Sequence, residues 1–420
     1  MSRAVATTAA CLAGALLLTA CGGGGDEVTS GGVGSDGVRT GPGVTDETIR
    51  LGVMTDLTGP FKDLSTTLQI GHHMWANEVN AAGGICNRQV AIETLDHGYQ
   101  ADTATIQFPD IEPKVAGFLE VLGASVIAAL SPDINEKEVT TLAVTWSSEL
   151  LGQPYVTIVG TTFDLEMING LDWLLEKNKI AKGDTIGHIY VEGDYGTNGL
   201  AGSRYFAKQN GLTVAAEKIT ATDTDMKSIV TKFKSQGVKA IALSVTPPQT
   251  ASAAVNNAGL GLDVPMIGNS VSFAPVLLDT PAAKALTRLY IAASAVPYDS
   301  PVPRAKALAK QFEAENPNER PTFAVQYGYA QGLIWNQILT TACAAKDLTR
   351  GGIIAALRSH RSLSTDKLVS KLDFSKPGAP SSRDVYIAQV DPGTPGGMKQ
   401  VQALKQYKDA ATYRTPTERP

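Results

Sequence analysis

The stretch "TIRLGVMTDLTGPFKDLSTTLQIGHHMWANEVNAAGGICNRQVAIETLD", residues 48–96, decides the fold class. It opens with an apolar run that predicts a buried strand over 48–56. The following segment, 66–84, predicts a helix that ends at two glycines, which favour the left-handed backbone of a helix C-terminus. A second strand is predicted over 89–96. The stretch therefore indicates a β-α-β unit with two parallel strands.

The same alternation of strands and helices continues along the chain outside this unit. Further strands are predicted at 114–123, 139–146, 155–160, 185–194, 212–220, 238–245, 264–269, 289–296, 384–390 and 399–407. Helices are predicted at 164–178, 197–209, 226–233, 303–315 and 323–344. Two β-α-β runs predict an α/β fold with two lobes, each a mainly parallel sheet flanked by helices. Open sheets of this kind bind ligands at the carboxyl ends of their strands, so we expect a binding cleft between the lobes.

The N-terminus has the features of an export signal. Residues 1–20 carry one charge, Arg3, and an apolar stretch too short to span a bilayer. The ending "LTAC" (18–21) resembles a bacterial lipoprotein signal, in which the chain is cut before the cysteine and the thiol of Cys21 takes a diacylglycerol. An ordinary secretory signal with a chance cysteine is the alternative. Residues 21–44 are rich in glycine and lack periodicity, which predicts a flexible tether.

Charge and cysteine content narrow the possible partners. The formal net charge is −5, and it becomes −6 once the signal with its single arginine is removed. This mild acidity argues against nucleic acid as a partner. Of the four cysteines, Cys11 leaves with the signal and Cys21 is assigned to the anchor. Cys86 and Cys343 remain, either as a disulfide or as two buried thiols.

Four stretches of the body resemble the branched-chain amino-acid (Leu/Ile/Val) binding-protein family. They are "GVTDETIRLGVMTDLTGPF" (43–61), "NEVNAAGGI" (77–85), "VEGDYGTNG" (191–199) and "YGYAQGLIWNQI" (327–338). The resemblance implies the type I periplasmic-binding-protein fold, a Venus flytrap with three chain crossings between the lobes. The crossings are expected near 160, near 290 and at 355–375. The expected division is 45–160 and 290–360 for lobe 1, 161–289 and 361–410 for lobe 2, and a C-terminal tail at 411–420.

The resemblance also implies a role. Members of the family are solute receptors that deliver ligands to ABC importers, so we expect a small-molecule solute and ABC permease subunits as partners. A lipid anchor at Cys21 would place a monomeric receptor outside the cytoplasm, on the membrane. A sensor lipoprotein that signals to a membrane partner is a second hypothesis, and a secreted α/β hydrolase is a third.

No catalytic activity, cofactor or metal is expected. The sequence has neither a Gly-x-Ser-x-Gly elbow nor a Walker loop. The adjacent His72 and His73 lie on a predicted helix, where their side chains diverge by about 100°. The missing nucleophile elbow disfavours the hydrolase hypothesis.

The resemblance assigns ligand-binding residues to loops that follow the predicted strands. Ser125 is expected to hold a ligand carboxylate together with backbone N–H groups, and it could also cap its helix. Trp146 either floors the cleft or belongs to the core, and Tyr195 takes the family's aromatic position. The full expected set is Phe61, Leu64, Gly123, Ala124, Ser125, Thr145, Trp146, Ser147, Tyr195, Thr246 and Ser270.

One position departs from the family pattern. Amino-acid receptors of this family carry an acidic residue that pairs with the ligand ammonium, and Ser270 stands at the matching position. A serine cannot neutralise a buried ammonium. We therefore expect a small carboxylate or neutral polar solute, amino-acid-like or an aromatic acid. The resemblance further returns Cys343 to the same lobe as Cys86, which implies a disulfide between them.

Overall fold

The computed structural model describes residues 31–418. Within that range the strands are β1 (Arg39–Thr40), β2 (Thr48–Thr55), β3 (Gln89–Asp96), β4 (Gly117–Leu122), β5 (Thr141–Val144), β6 (Val156–Ile158), β7 (Thr185–Val191), β8 (Thr213–Ile219), β9 (Ala240–Ser244), β10 (Met266–Asn269), β11 (Leu289–Ala293), β12 (Asp347–Leu348), β13 (Val385–Val390) and β14 (Met398–Lys405). The predictions of a signal, of the Cys21 anchor and of the first part of the tether lie outside the described residues.

Helices separate most of these strands, as the alternating pattern predicts. They are α1 (Lys62–Ala81), α2 (Ala101–Ile111), α3 (Ala124–Glu136), α4 (Phe163–Glu176), α5 (Asp194–Asn210), α6 (Lys227–Ser235), α7 (Pro247–Gly259), α8 (Ala283–Leu286), α9 (Pro303–Glu315), α10 (Ala324–Ala344), α11 (Arg350–Ser359) and α12 (Lys408–Thr412). Among residues 31–418, no helix combines the length and the apolar character needed to cross a membrane.

The strands form two large sheets, one in each lobe. The lobe 1 sheet has the order β3-β2-β4-β5-β6, with every pair parallel. The lobe 2 sheet has the order β14-β13-β11-β10-β9-β7-β8, and only its pairs with β13 are antiparallel. Helix α1 packs against α10 in lobe 1, and α4 packs against α5 and β10 in lobe 2. The predicted α/β architecture with mainly parallel sheets is confirmed.

Three chain segments run side by side between the lobes. The first follows β6, the second follows β11, and the third precedes β13. The N–H of Val296 donates to the carbonyl oxygen of Leu368, and the N–H of Ser382 donates to that of Gly160. Gly160 has a φ of +100°, and a Cβ there would lie 2.1 Å from the Ser294 hydroxyl. Glycine is thus required where the crossings pack most closely.

Two of the three crossings lie later in the chain than expected. The strand β11 pairs with β10 and β13, so residues 289–293 belong to lobe 2 and the second crossing follows them rather than lying near 290. The third crossing lies closer to 368–384 than to 355–375, because α11 still packs in lobe 1 against α10 and β12. Both differences depend on long-range pairing, which local sequence patterns do not encode.

Both ends of the described chain pack more closely than expected. In the second half of the expected tether 21–44, β1 pairs with β12, and Val38 and Val44 are buried. The buried guanidinium of Arg88 donates to Asp36 at 2.7 Å, which fixes this segment on lobe 1. In the expected tail 411–420, Tyr413 is buried and packs on Tyr205 of lobe 2, whereas residues 416–418 contact residues 148–152 of lobe 1.

A disulfide joins two distant parts of lobe 1. It links Cys86, just after α1, to Cys343 near the end of α10, with Cα atoms 6.4 Å apart. This is the pairing that the resemblance implies. The two cysteines lie 257 positions apart in sequence, and the bond closes this long chain loop beside the packed helices α1 and α10.

Candidate ligand-binding site

A narrow cavity lies between the lobes at the carboxyl ends of their strands. The space open to the centre of a water molecule is about 40 Å³. Ligand sites for drug-sized molecules are several times larger, so this cavity must widen to admit a ligand. It is lined by Phe61, Leu64, Tyr99, Leu122, Gly123, Ala124, Val144, Thr145, Trp146, Phe163, Tyr195 and Val271.

Most of the expected binding residues meet in this cavity. The lining includes Phe61, Leu64, Gly123, Ala124, Thr145, Trp146 and Tyr195. The sequence did not predict the other five lining residues, which are Tyr99, Leu122, Val144, Phe163 and Val271. Leu122 and Val144 end strands whose next residues were selected, so extending each motif by one residue would have found them.

Four expected residues do not line the cavity. Ser125 is exposed beside it, and Ser147 is buried with a hydroxyl that has no partner among the described residues. Thr246 forms a capping box with Gln249 at the start of α7. Ser270 is buried and bonded to Glu166. Any contact of these four residues with a ligand remains a prediction.

The cavity wall is aromatic and uncharged. Phe61 and Tyr99 of lobe 1 pack edge to face with ring centroids 4.8 Å apart. Across the cleft, Phe163 and Tyr195 of lobe 2 lie 4.5 Å apart. None of the twelve lining residues carries a charged side chain, and only Thr145 and the two tyrosines carry hydroxyl groups. Such a wall favours a hydrocarbon body over a polar one.

The hydroxyl of Tyr195 is bonded within lobe 2. It donates to the carbonyl oxygen of Val245 at 3.2 Å and lies 3.0 Å from the Ser272 hydroxyl. Burial raises the pKa of Tyr195 well above its usual value, so the group stays a neutral phenol. The ring, rather than the hydroxyl, is what Tyr195 offers to a ligand.

Trp146 satisfies both alternatives that its sequence position left open. Its side chain is buried, yet the indole lines the cavity. The ring packs against Phe163 at 5.8 Å and against Tyr327 at 5.3 Å between centroids. Trp146 is therefore at once a core residue of lobe 1 and the floor of the cleft.

The start of α3 supplies backbone donors at one end of the cavity. Its N-cap is Gly123, which has a φ of +105° and provides no capping side chain. Ser125 is thus inside the first turn and does not cap the helix, contrary to the capping alternative. The first N–H groups of a helix have no intrahelical acceptor. Together with the positive end of the helix dipole they suit a carboxylate.

An acidic residue does lie near the position where the family acid was expected. Glu166 of α4 accepts hydrogen bonds from the backbone N–H of Ser270 at 3.1 Å and from its hydroxyl at 3.2 Å. Burial raises the pKa of Glu166 to about 8, so this carboxyl is mainly protonated at neutral pH. Glu166 does not line the cavity. Among residues 31–418, its hydrogen bonds go to Asn269 and Ser270 rather than to the cavity lining.

The two-lobed fold, the three crossings and the interlobe cavity define a type I periplasmic binding protein. The model of the periplasmic binding protein family matches residues 48–397, so the chain belongs to this family. The four stretches that resemble Leu/Ile/Val-binding proteins fall largely within residues 48–397, and the resemblance is confirmed.

Solved structures of ABC transporter proteins are similar to this chain. A fatty acid ABC transporter substrate-binding protein from Thermomonospora curvata shares 37% sequence identity and a TM-score of 0.88, over 92% of this chain and 99% of that one. A branched-chain amino acid ABC transporter from Thermus thermophilus with bound valine has 15% sequence identity to this chain and a TM-score of 0.74. The match covers 87% of this chain and 98% of that one. A branched-chain amino acid transporter substrate-binding protein from Streptococcus pneumoniae, in complex with isoleucine, has 20% sequence identity to this chain and a TM-score of 0.70. The match covers 85% of this chain and 100% of that one. The last two show the fold alone.

Proposed function

We propose that this protein is the solute receptor of an ABC importer and that its ligand is a monocarboxylate with a hydrocarbon body, such as a fatty acid. The observation that carries this proposal is the uncharged, aromatic cavity wall beside the open N-terminus of α3. The name of the Thermomonospora curvata relative supports the same class of ligand. The sequence predicts a small carboxylate or a neutral polar solute. The proposal keeps the carboxylate, because this wall suits a hydrocarbon body better than a neutral polar one.

Desolvation energies favour a fatty acid over an amino acid in this cavity. Each buried methylene group of a ligand contributes about 0.8 kcal/mol. An ammonium group, by contrast, loses its water shell on entry and needs a partner of opposite charge. The lining residues offer none, and Glu166 is not among them.

We propose hinge closure as the mechanism of capture. The two walls come from different lobes, with Phe61 and Tyr99 on one side and Tyr195 and Val271 on the other. A ligand that contacts both walls stabilises the closed arrangement and shifts the population toward it. The closed lobes then form the surface that a permease recognises. No bond of the ligand is made or broken in this role, so the protein is not an enzyme.

A calorimetric panel tests the ligand class. The delipidated protein is titrated with short, medium and long straight-chain fatty acids, with leucine and valine, and with the deaminated analogues of these two amino acids. We expect binding of the carboxylates and no binding of the amino acids. Tight binding of leucine or valine with no binding of any carboxylate would contradict the proposal. Recovery of a chemically altered ligand would contradict the non-enzymatic role.

We further propose that Cys21 carries a lipid that holds the receptor on the outer face of the cell membrane. The support is the "LTAC" ending and the glycine-rich segment after it. Two or three acyl chains suffice for stable anchoring. Metabolic labelling with a radioactive fatty acid tests this in the cell. Cys21→Ser should abolish the label, and unchanged labelling of that variant would exclude the anchor.

A further inference from the structure

The loop after β3 carries a tyrosine in a conformation that few side chains adopt. Tyr99 has a φ of +60°, and Gly98 before it has a φ of +56°. A bulky residue with positive φ is disfavoured by about 1 kcal/mol or more, and such residues persist where their surroundings hold them. The conformation calls for a cause in the packing around Tyr99.

Hydrogen bonds from three directions fix this loop. The carboxylate of Asp96 accepts the N–H of Leu57 and the N–H of Gly98, each at 2.9 Å. Asp96 also accepts the hydroxyl of Thr58 at 2.9 Å. The N–H of Tyr99 itself donates to Nδ1 of His97 at 3.0 Å. The backbone of Tyr99 is therefore held in place before any ligand arrives.

The fixed backbone aims the Tyr99 ring over the start of α3. A Cβ on Gly123 would lie 2.7 Å from Cε2 of Tyr99, so the ring requires glycine at that position. The other side of the ring meets Phe61. The Tyr99 hydroxyl faces the side chain of Ser125. The ring thus covers the backbone donors that suit a carboxylate.

We infer that Tyr99 is a specificity-determining residue whose hydroxyl, together with that of Ser125, donates hydrogen bonds to the ligand carboxylate. The inference rests on the proposed function. A carboxylate has two oxygens, and each can accept from one hydroxyl and from the N–H groups of α3.

This donor set discriminates against ligands without a negative charge. The Tyr99 ring lies against Gly123 at the start of α3, next to Ser125, and no basic side chain lies among the lining residues. A neutral amide leaves some of these donors without an acceptor, which costs affinity. Burial raises the pKa of Tyr99, so the phenol keeps its proton at physiological pH.

The test compares Tyr99→Phe with the wild type on two probes, decanoate and decanamide, by calorimetry. The Phe variant keeps the ring over Gly123 and removes only the donor. We expect the affinity for decanoate to fall roughly ten-fold or more, as for the loss of a hydrogen bond to a charged group, and the affinity for decanamide to change much less. Tyr190→Phe, which removes a hydroxyl outside the cavity, is the matched control.

A double-mutant cycle separates direct contact from a structural effect. If the two hydroxyl groups act on one carboxylate, Tyr99→Phe and Ser125→Ala should be non-additive for decanoate and near additive for decanamide. Equal losses for decanoate and decanamide, or an unchanged affinity for decanoate, would overturn the inference. If the wild type binds no carboxylate at all, the proposed function fails instead. The two failures are therefore distinguishable.

Discussion

The indole N–H of Trp146 donates to the carbonyl oxygen of Val159 at 3.0 Å, which joins the floor of the cavity to the first crossing between the lobes. The hydroxyl of Tyr327 donates to the same carbonyl oxygen at 3.1 Å. Val159 lies directly after β6, one residue before Gly160. A ligand that displaces the Trp146 ring would therefore act on the first crossing, about which the proposed hinge closure turns the lobes.

The first prediction is that Trp146→Phe weakens the crossing. The variant loses one net hydrogen bond, worth about 1 kcal/mol in unfolding free energy, in addition to the smaller ring volume. Trp173→Phe is the control, because the Trp173 indole N–H has no hydrogen-bond partner among the described residues. Urea unfolding of both variants measures the difference. Equal destabilisation would show that the bond to Val159 contributes nothing.

The same pair of variants reports on ligand binding. All four tryptophans lie in the described part of the chain, and only Trp146 lines the cavity. A change in intrinsic fluorescence on ligand addition should persist in Trp173→Phe and disappear in Trp146→Phe. A full signal from the Trp146 variant would mean that the ligand binds elsewhere.

Local patterns sufficed to predict most of the strands and the place of the site. The strands β2 and β3 were expected at 48–56 and 89–96 and lie at Thr48–Thr55 and Gln89–Asp96, because continuous apolar runs identify buried strands. The cavity lies where parallel sheets lead one to expect it. Both predictions rest on hydrophobic periodicity and on the alternation of strands with helices, and both patterns can be read from a single sequence.

The remaining features depend on contacts between distant residues. Tyr99 was missed because its place in the cavity follows from a positive φ and from packing on Gly123, neither of which a local pattern encodes. Phe163 was missed because its helix was expected to begin one residue later, and only the first crossing brings its ring to the cleft. The strand β11 was found but assigned to lobe 1, since its partners lie far away in sequence.

The second prediction concerns pH. Burial raises the pKa of Glu120 and of Glu166 from the usual 4.5 to about 8. Between these pH values the folded protein keeps two protons that the unfolded chain has lost, so the contribution of these two groups to the unfolding free energy should fall as pH rises. The slope is at most about 1.4 kcal/mol per pH unit for each group. Well above pH 8 both carboxyl groups are ionised in the folded and in the unfolded protein. Their ionisation then lowers the unfolding free energy no further.

The difference in slope between the wild type and a Glu120 variant isolates this effect between pH 6.5 and 8, because the histidine contributions are the same in both proteins. His72 lies 3.7 Å from Glu120, but burial lowers its pKa to about 4, so the two form a neutral contact in this window despite their ion-pair geometry. Chemical denaturation at several pH values compares the wild type with Glu120→Gln, which should have a shallower slope. The exposed Glu136→Gln is the control. An unchanged slope in Glu120→Gln would show that Glu120 ionises normally.

The third prediction is that the disulfide stabilises lobe 1 without contributing to the ligand site. Cys86 and Cys343 are separated by 257 residues, and the chain-entropy model gives about 5 kcal/mol for so long a loop. The double variant Cys86→Ser, Cys343→Ser should unfold at lower urea concentration and bind ligand with unchanged affinity when folded. Two reactive thiols in the unfolded, unreduced mature protein would contradict the bond.

The last prediction separates the ring of Tyr195 from its hydroxyl. The ring lines the cavity and packs against Phe163, so Tyr195→Ala should weaken ligand binding by about 1–3 kcal/mol. The hydroxyl is already bonded to Val245 and Ser272, so Tyr195→Phe should lose little affinity and should mainly lower the unfolding free energy. Tyr205→Ala, whose ring packs on Tyr413 outside the cavity, is the control. Calorimetry and urea unfolding measure both effects. If the Phe variant lost as much affinity as the Ala variant, the hydroxyl would have to leave its lobe 2 partners and bind the ligand directly.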